Sequence, residues 1–462
     1  MSERLLLLTG HLAYRRLERL MRALGQTSFS WEICDIGVKV AALMTETIIR
    51  HRLRRPIEAD RILLPGRCRA DPARLSNDLG VPVTRGPDEL SDLPVFLGHG
   101  GITPDLTHFA IRIFGEIVDA TALSVEALLT RAAALRKSGA DVIDLGCLPD
   151  TPFPHLEKSI RALKAAGHPV SVDSADRQEL ARGANAGADF LLSLDESTLE
   201  IAEVGGATPI LVPAPHGDLE SLVRAVRRAE ELGLSFIVDP ILDPIHFGFA
   251  NSVARYVETR RRLPNAEMMM GTGNLTELTE ADSCGVTAVL IGLCSELDIR
   301  NVLTVQVSPH TRRTIEEHDA ARRLMFAARE DSALPKGYNA GLLQLHDRAP
   351  FPSSVQDLAE IAAQVRDANF RIAVAEDGIH IFNRDGHYIA RDALSLFPKL
   401  RVESNGAHAF YLGAELAKAE VAFALGKRYA QDEPLDWGCG SEKQEEDKNR
   451  LREAGHTLRK NA

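Results

Sequence analysis

Four aspartates recur in one kind of place. Asp119, Asp144, Asp173 and Asp239 each stand at or beside the end of a short apolar run, and Asp195 follows a fifth run. If the runs are neighbouring parallel strands, their ends meet on one face and the carboxylates share a desolvated cup. Crowded acids in a low dielectric need hydrogen-bond donors or a cation, and that need marks a binding site. Each acid also has a plainer reading: Asp173 precedes Ser174, a good helix N-cap, and Asp119 suits a turn. Several together favour a site over separate caps. Asn274 follows Gly271-Thr272-Gly273 and precedes Glu277 by three residues, a spacing that suits a capping box as well as a ligand-facing amide. Of two Asp-Pro pairs, Asp239 directly ends the run Phe236-Ile237-Val238 and is expected to be held rigidly, whereas Asp243 is expected in a solvated loop.

The elements that must position these acids follow from hydrophobic pattern. Short apolar runs at 116–119, 141–145, 169–173, 190–194, 209–212, 236–239, 268–271 and 288–292 read as strands. Amphipathic segments such as 125–137, 177–186 and 219–232 lie between them at the helical period. Eight strand-helix units predict a (β/α)8 TIM barrel over 109–330, with its site at the carboxyl ends of the strands. An open doubly wound sheet is the alternative, but no glycine fingerprint follows the first strand.

Residues 1–108 read as a smaller N-terminal α/β domain with strands at 5–8, 31–36, 61–64 and 95–97, and helices at 14–24 and 40–52. Gly98 to Gly101 suit a plain turn better than a phosphate cradle. Residues 331–440 read as a C-terminal α+β domain. Its three alternating strands, 371–376, 379–383 and 387–390, turn at Asp377-Gly378 and Asp385-Gly386 and pack on a helix at 410–429. The tail, 441–462, is polar enough to be disordered.

Composition sets the outer bounds. A formal net charge of −11 argues against nucleic acid and against anionic lipid as partners. The six cysteines are scattered without metal-ligand spacing, which points to reduced thiols in a cytoplasmic protein. Leu5 to Leu8 is too short for a signal-peptide core, and no apolar stretch is long enough to span a bilayer.

Ile117-Val118-Asp119-Ala120-Thr121, Gly139-Ala140-Asp141-Val142-Ile143-Asp144, Val170-Ser171-Val172-Asp173-Ser174 and Val238-Asp239-Pro240 with Phe247-Gly248-Phe249 carry a resemblance. The barrel resembles the pterin-binding family that includes dihydropteroate synthase and the pterin-dependent corrinoid methyltransferases. The three-part layout is similar to dihydropteroate synthase-related proteins linked to tetrahydromethanopterin biosynthesis. The resemblance implies a pterin ligand bound by Asp119, Asp144, Asp173, Ser193, Asp239 and Asn274, with Asp239 accepting paired N–H donors from the pterin edge. It also implies Mg2+ held by Asp119, an arylamine as second substrate, and a homodimer.

Departures qualify the chemistry implied. Asp119 stands where the synthase has Asn, Ser193 where Asn is usual, and Gly273-Asn274 where the synthase has Ser-Arg-Lys, closer to the methyltransferase branch. The Thr-Arg phosphate loop is replaced by Gly146-Cys147-Leu148-Pro149-Asp150-Thr151. Arg300 and His310 are placed after the eighth strand without a secure match to the family's phosphate ligands. A synthase-type transferase, a non-catalytic pterin binder and a methyltransferase lacking a D-x-H-x-x-G corrinoid motif are the three functional readings.

Overall fold

A computed structural model of the chain describes residues 2–101 and 104–442. It divides into two compact units, Met1–Asn339 and Ala340–Ala462. The polar tail expected at 441–462 lies, beyond Glu442, outside the described residues.

The first unit opens with a parallel sheet of β1 (Glu3–Thr9), β2 (Phe29–Asp35), β3 (Arg61–Leu64) and β4 (Val83–Arg85), in the order β2-β1-β3-β4. The four leucines of β1 explain its central position. Leu5 and Leu7 pack with Leu17 and Met21 of the helix His11–Ala23, while Leu6 and Leu8 pack on the other face with Ile49 and Leu75. A strand apolar on both faces must be covered on both faces. The strand predicted at 95–97 is instead the end of a short helix, Leu93–Phe96, with Val95 and Phe96 largely exposed. The fourth strand is Val83–Arg85, too short to stand out as an apolar run. The helix predicted at 40–52 resolves into a 3-10 turn, Ala41–Leu43, and a helix, Glu46–Arg52, whose N-cap Thr45 accepts from Ile48 N at 3.3 Å.

The next eight strands close into a parallel barrel: β5 (Arg112–Ile117), β6 (Val142–Gly146), β7 (Val170–Asp173), β8 (Phe190–Leu194), β9 (Thr208–Leu211), β10 (Ile237–Val238), β11 (Glu267–Gly271) and β12 (Asn301–Thr304). The strand predicted at 288–292 is wrong. Those residues belong to the helix Ser283–Glu296, whose buried positions 283, 287, 290, 291 and 294 keep the helical period. A short apolar run alone cannot separate a buried strand from a buried helix. The eighth strand is β12, so Arg300 precedes it and lies at the opposite end of the barrel from the strands' carboxyl ends, while His310 follows it.

Alternation along the strands builds the barrel interior. Phe114, Val142, Phe190, Leu192, Ile210, Ile237 and Met269 pack into one inward cluster, with the rings of Phe114 and Phe190 edge to face at 4.9 Å. At the amino ends, β5 and β12 are joined by more than their ladder. Arg112 Nε donates to Asn301 Oδ1 at 2.9 Å, the Arg112 guanidinium pairs with Glu267, and Asn301 Nδ2 donates to Glu267 at 3.0 Å. The helix Thr314–Glu330 belongs to the barrel as well: its buried Arg322 binds Asp141 and donates to the Gly139 and Ile111 carbonyls.

In the second unit, β13 (Arg371–Ala375), β14 (Gly378–Asn383) and β15 (Gly386–Ala390) form an antiparallel meander. Ile372, Val374, Ile379 and Ile381 pack against Leu412, Leu416 and Ala419 of the helix Gly406–Leu425. Among the described residues, no helix is long and apolar enough to cross a membrane.

Candidate functional site

The site begins with the parity of the inward cluster. Phe114, Val142 and Ile237 face the barrel interior, so the residues two further on, Glu116, Asp144 and Asp239, face the same way one level nearer the carboxyl ends. Glu116 stands opposite Asp144 in the β5/β6 register, and Asp144 opposite Ser171 in β6/β7, with Asp173 two residues beyond Ser171. The result is a group of three acids, Glu116, Asp144 and Asp173, with one carboxylate oxygen of each within 4.8 Å of the others. Gly146 makes room for it, because a Cβ there would sit 2.7 Å from Glu116 Oε1.

Asp144 is fully buried, and neither of its oxygens has a hydrogen-bond partner. The Ser171 hydroxyl, also buried, lies near enough to oppose the rise in its pKa, but it closes no hydrogen bond. An apolar floor and like charges dictate the protonation of this group. Burial pushes Asp144 up to about 6. Burial and then the Asp144 charge push Glu116 up to about 8. Burial raises Asp173 well above the usual range, with Asp144, Glu116 and Asp239 adding to the rise. At neutral pH the group therefore holds protons and presents O–H donors beside carboxylate acceptors.

Asp239 joins the group from the other side. Burial lifts it to about 6, against the pull of Tyr256, the Ile241 amide and Arg255. Its Oδ1 accepts from Tyr256 Oη at 2.6 Å and from Ile241 N at 2.8 Å, so both structural bonds use one oxygen. Ile241, a β-branched residue, is held at φ 69°, a conformation that costs energy unless its surroundings enforce it. Arg255 enforces it, donating to Pro240 O at 2.7 Å, to Ile241 O at 2.6 Å and to Asp243 Oδ2 at 2.9 Å. Asp243 is thus buried and paired, contrary to the solvated loop position expected for it, and its other oxygen lies 2.8 Å from His216 Nε2.

None of the remaining predicted residues belongs to the three-acid group. Asp119 follows the end of β5 and pairs with Arg131 at 3.1 Å with half its side chain exposed, so the carboxylate that β5 brings inward is that of Glu116. Asp119 is therefore not in the three-acid group to which a metal-binding role would point. Ser193 is part-buried on β8 where the pairing with β9 shifts register between Leu191 and Leu194. Asn274 lies within the short helix Gly273–Thr276 and donates to Leu242 O at 2.7 Å, bracing the loop after β10. Glu277 does not complete a capping box with it; its carboxylate accepts from Val307 N, Ser308 N and Thr311 Oγ1. Ser174 does not cap the next helix either. Asp176 does, accepting from Gln178 N at 2.7 Å, while Ser174 Oγ donates to Glu179. Cys147, beside the acids, is kept a thiol by burial and then by Glu179, which rules it out as a ready nucleophile. Glu116 is the residue that sequence reasoning missed, and its shared parity with Phe114 was the signal.

Residues 3–88 match the model of a family of unknown function, DUF6513. An uncharacterized protein of Methanocaldococcus jannaschii is 26% identical over 530 residues, covering 93% of this chain and 98% of that protein. Among solved structures, the chain is similar to the dihydropteroate synthase of Xanthomonas albilineans, at 19% identity and a TM-score of 0.37 over 48% of this chain and 94% of that one. It is similar to that of Yersinia pestis at 15% identity and a TM-score of 0.38 over 50% and 98%. The dihydropteroate synthase of Thermus thermophilus is similar at 20% identity and a TM-score of 0.36 over 48% and 94%.

Proposed function

We propose that this chain is a dihydropteroate synthase-like protein that binds a hydroxymethylpterin diphosphate in its barrel and joins it to an arylamine. The product would serve a tetrahydromethanopterin- or folate-type cofactor. The observation that supports this reading is the group of four inward acids above an apolar floor, Glu116, Asp144, Asp173 and Asp239. A pterin edge offers adjacent N–H donors, which a carboxylate accepts as a pair. Asp239 suits that role because Tyr256 and Ile241 share one oxygen and leave the other to a ligand. Protonated Glu116 supplies an O–H donor that could meet the ring's carbonyl, and the floor suits a flat ring face.

In the proposed reaction the amine nitrogen bonds to the pterin methyl carbon, the carbon-oxygen bond to diphosphate breaks, and the amine loses a proton. The leaving group's charge must be met by cations. Once their protons are released, Glu116, Asp144 and Asp173 form an all-oxygen donor set that fits Mg2+, and in that state Glu116 serves the ion in place of donating to the ring. When bound, the ion would supply charge neutralisation for the diphosphate. Isothermal titration with Mg2+ present tests the reading: the diphosphate should bind more tightly than the free alcohol, and it should turn over with an arylamine such as the ribosylated aminobenzene of tetrahydromethanopterin synthesis.

One observation favours a second reading, a pterin binder without turnover. Among the described residues, no Arg or Lys is among the groups that stabilise the charged forms of Glu116, Asp144 and Asp173. Equal affinity for diphosphate and alcohol, with pterin copurifying and no turnover, would select it.

A further inference from the structure

We propose that the crevice outside the carboxyl ends of β1 and β3 is a second small-molecule site, separate from the barrel, that takes an organic anion with an apolar body. In the order β2-β1-β3-β4 the chain leaves β1 in one direction and β3 in the other, and loops on either side of such a point diverge. Two glycines show where they diverge. A Cβ at Gly10 would lie 2.8 Å from both Ala41 N and Val38 O, so the loops after β1 and β2 are packed together. A Cβ at Gly66 would lie 2.3 Å from Pro87 O, so the loops after β3 and β4 are packed together too. Between these two closed pairs is a cavity of about 270 Å³. That is the volume of roughly nine liquid waters, enough for a small ring system bearing a charged group.

The lining identifies the ligand class. The walls are aliphatic, with Leu8, Leu12, Val40, Leu64, Leu90 and Leu334 among them. Four cations also line it. Arg67 is neutralised by Glu89, and Arg16 donates to the carbonyls of Lys336 and Gly337. Lys39 and Lys336 are exposed and make no ion pair among the described residues. With two carboxylates, Asp88 and Glu89, against four cations in the lining, the crevice keeps a net local positive charge on a chain whose net charge is −11.

The mode of capture is constrained as well. The helix His11–Ala23 opens here, but His11 N already donates to Val38 O at 2.8 Å and Leu12 N to Lys39 O at 3.1 Å. Pyrophosphate capture by free helix amides, the dinucleotide mode, is therefore closed. Charge recognition falls to the two lysines and affinity to the aliphatic walls, so a carboxylate and a phosphate ester are equivalent at this level.

Fluorescence titration of the full chain with anilinonaphthalene sulfonate tests the proposal. One saturable site is expected, weakened at least tenfold in the Lys39→Glu/Lys336→Glu double variant and lost when Ala13→Trp fills the cavity. Benzoate and phenyl phosphate should displace the probe, and their relative potency distinguishes the two anion types; a neutral pterin should not displace it. No saturable binding, unchanged affinity in the double variant, or displacement by pterin would each overturn the proposal. Both lysines are exposed, so the double variant is decisive even if Ala13→Trp does not fold; circular dichroism confirms that it is native.

Discussion

Two sets of acids sit at the carboxyl ends of the barrel strands, a few residues apart in sequence, and they differ in what surrounds them. The outer set is answered: Asp119 by Arg131, Asp243 by Arg255 and His216, Asp195 by the Ser197 amide and hydroxyl, and Glu277 by two amides and a hydroxyl. The inner set is not: even Asp239 is met on one oxygen only, by Tyr256 and Ile241. Asp144 has no partner, and Glu116, Asp144 and Asp173 are raised mainly by burial. Residue type and position at a strand end are shared by both sets, so neither identifies a site. What separates them is whether folding satisfies the charge or leaves that to a ligand.

The largest effect that would break this contrast is expected at Asp243→Asn. Removing one partner of a buried ion pair leaves Arg255 uncompensated, a loss of about 3 kcal/mol, since its two carbonyl contacts remain. Chemical denaturation measures it. A change below about 1 kcal/mol would show that the outer acids are no better satisfied than the inner ones.

Next is the pH dependence of the inner set. The folded-state values of Glu116, near 8, and of Asp144 and Asp239, near 6, lie above their unfolded values, so the folded chain binds more protons. Stability should be greatest in mild acid and should fall as pH rises through about 5 to 8. With chelator present and no ligand, Glu116→Gln should flatten this slope and raise stability at pH 8. A slope unaltered by the substitution would remove Glu116 from the uncompensated set.

Asp239→Asn tests the ligand side. The amide oxygen can still accept from Tyr256 and Ile241, so the fold is retained while the outward oxygen becomes an N–H donor facing the pterin's own donors. Pterin binding should weaken at least about tenfold, equivalent to ~1.4 kcal/mol. Fluorescence quenching reads it, and an unchanged dissociation constant would place the pterin elsewhere. The smallest effect belongs to Asp119→Asn, which removes a half-exposed ion pair and should alter stability by no more than about 0.5 kcal/mol. Pterin affinity and its Mg2+ dependence should not move. If Mg2+ dependence is lost, Asp119 returns to the site.

The sequence made the barrel legible where its strands are short apolar runs with a polar end, as at 141–145, 169–173 and 190–194. It misled at 288–292, where the helix Ser283–Glu296 carries apolar residues on its exposed side too, Val289 among them, so no polar face reveals its period. Asp144, Asp173 and Asp239 were legible as candidate-site residues because each stands at or beside the end of its run. Glu116 was not, because reading β5 to Asp119 moved the strand's end past it. The parity of Glu116 with Phe114 runs along one strand and could be read there, but that this face is the inward one, shared with Val142 and Ile237, becomes visible only when the registers are known. The pairing of Asp243 was hidden for a related reason, since Arg255 lies a helix away in sequence and meets it only when the loop after β10 folds back.

The seam between β5 and β12 has a consequence for how the chain is made. Arg112 and Asn301, which bond across it, are 189 residues apart, so at about 5–20 residues per second the ribosome takes roughly 10–40 seconds to deliver the closing strand. Throughout that interval β5 offers a bare edge to any neighbouring nascent chain. Release of chains ending before Asn301 should therefore yield oligomers that the full-length product does not form, as sedimentation of stalled and completed translation products would show.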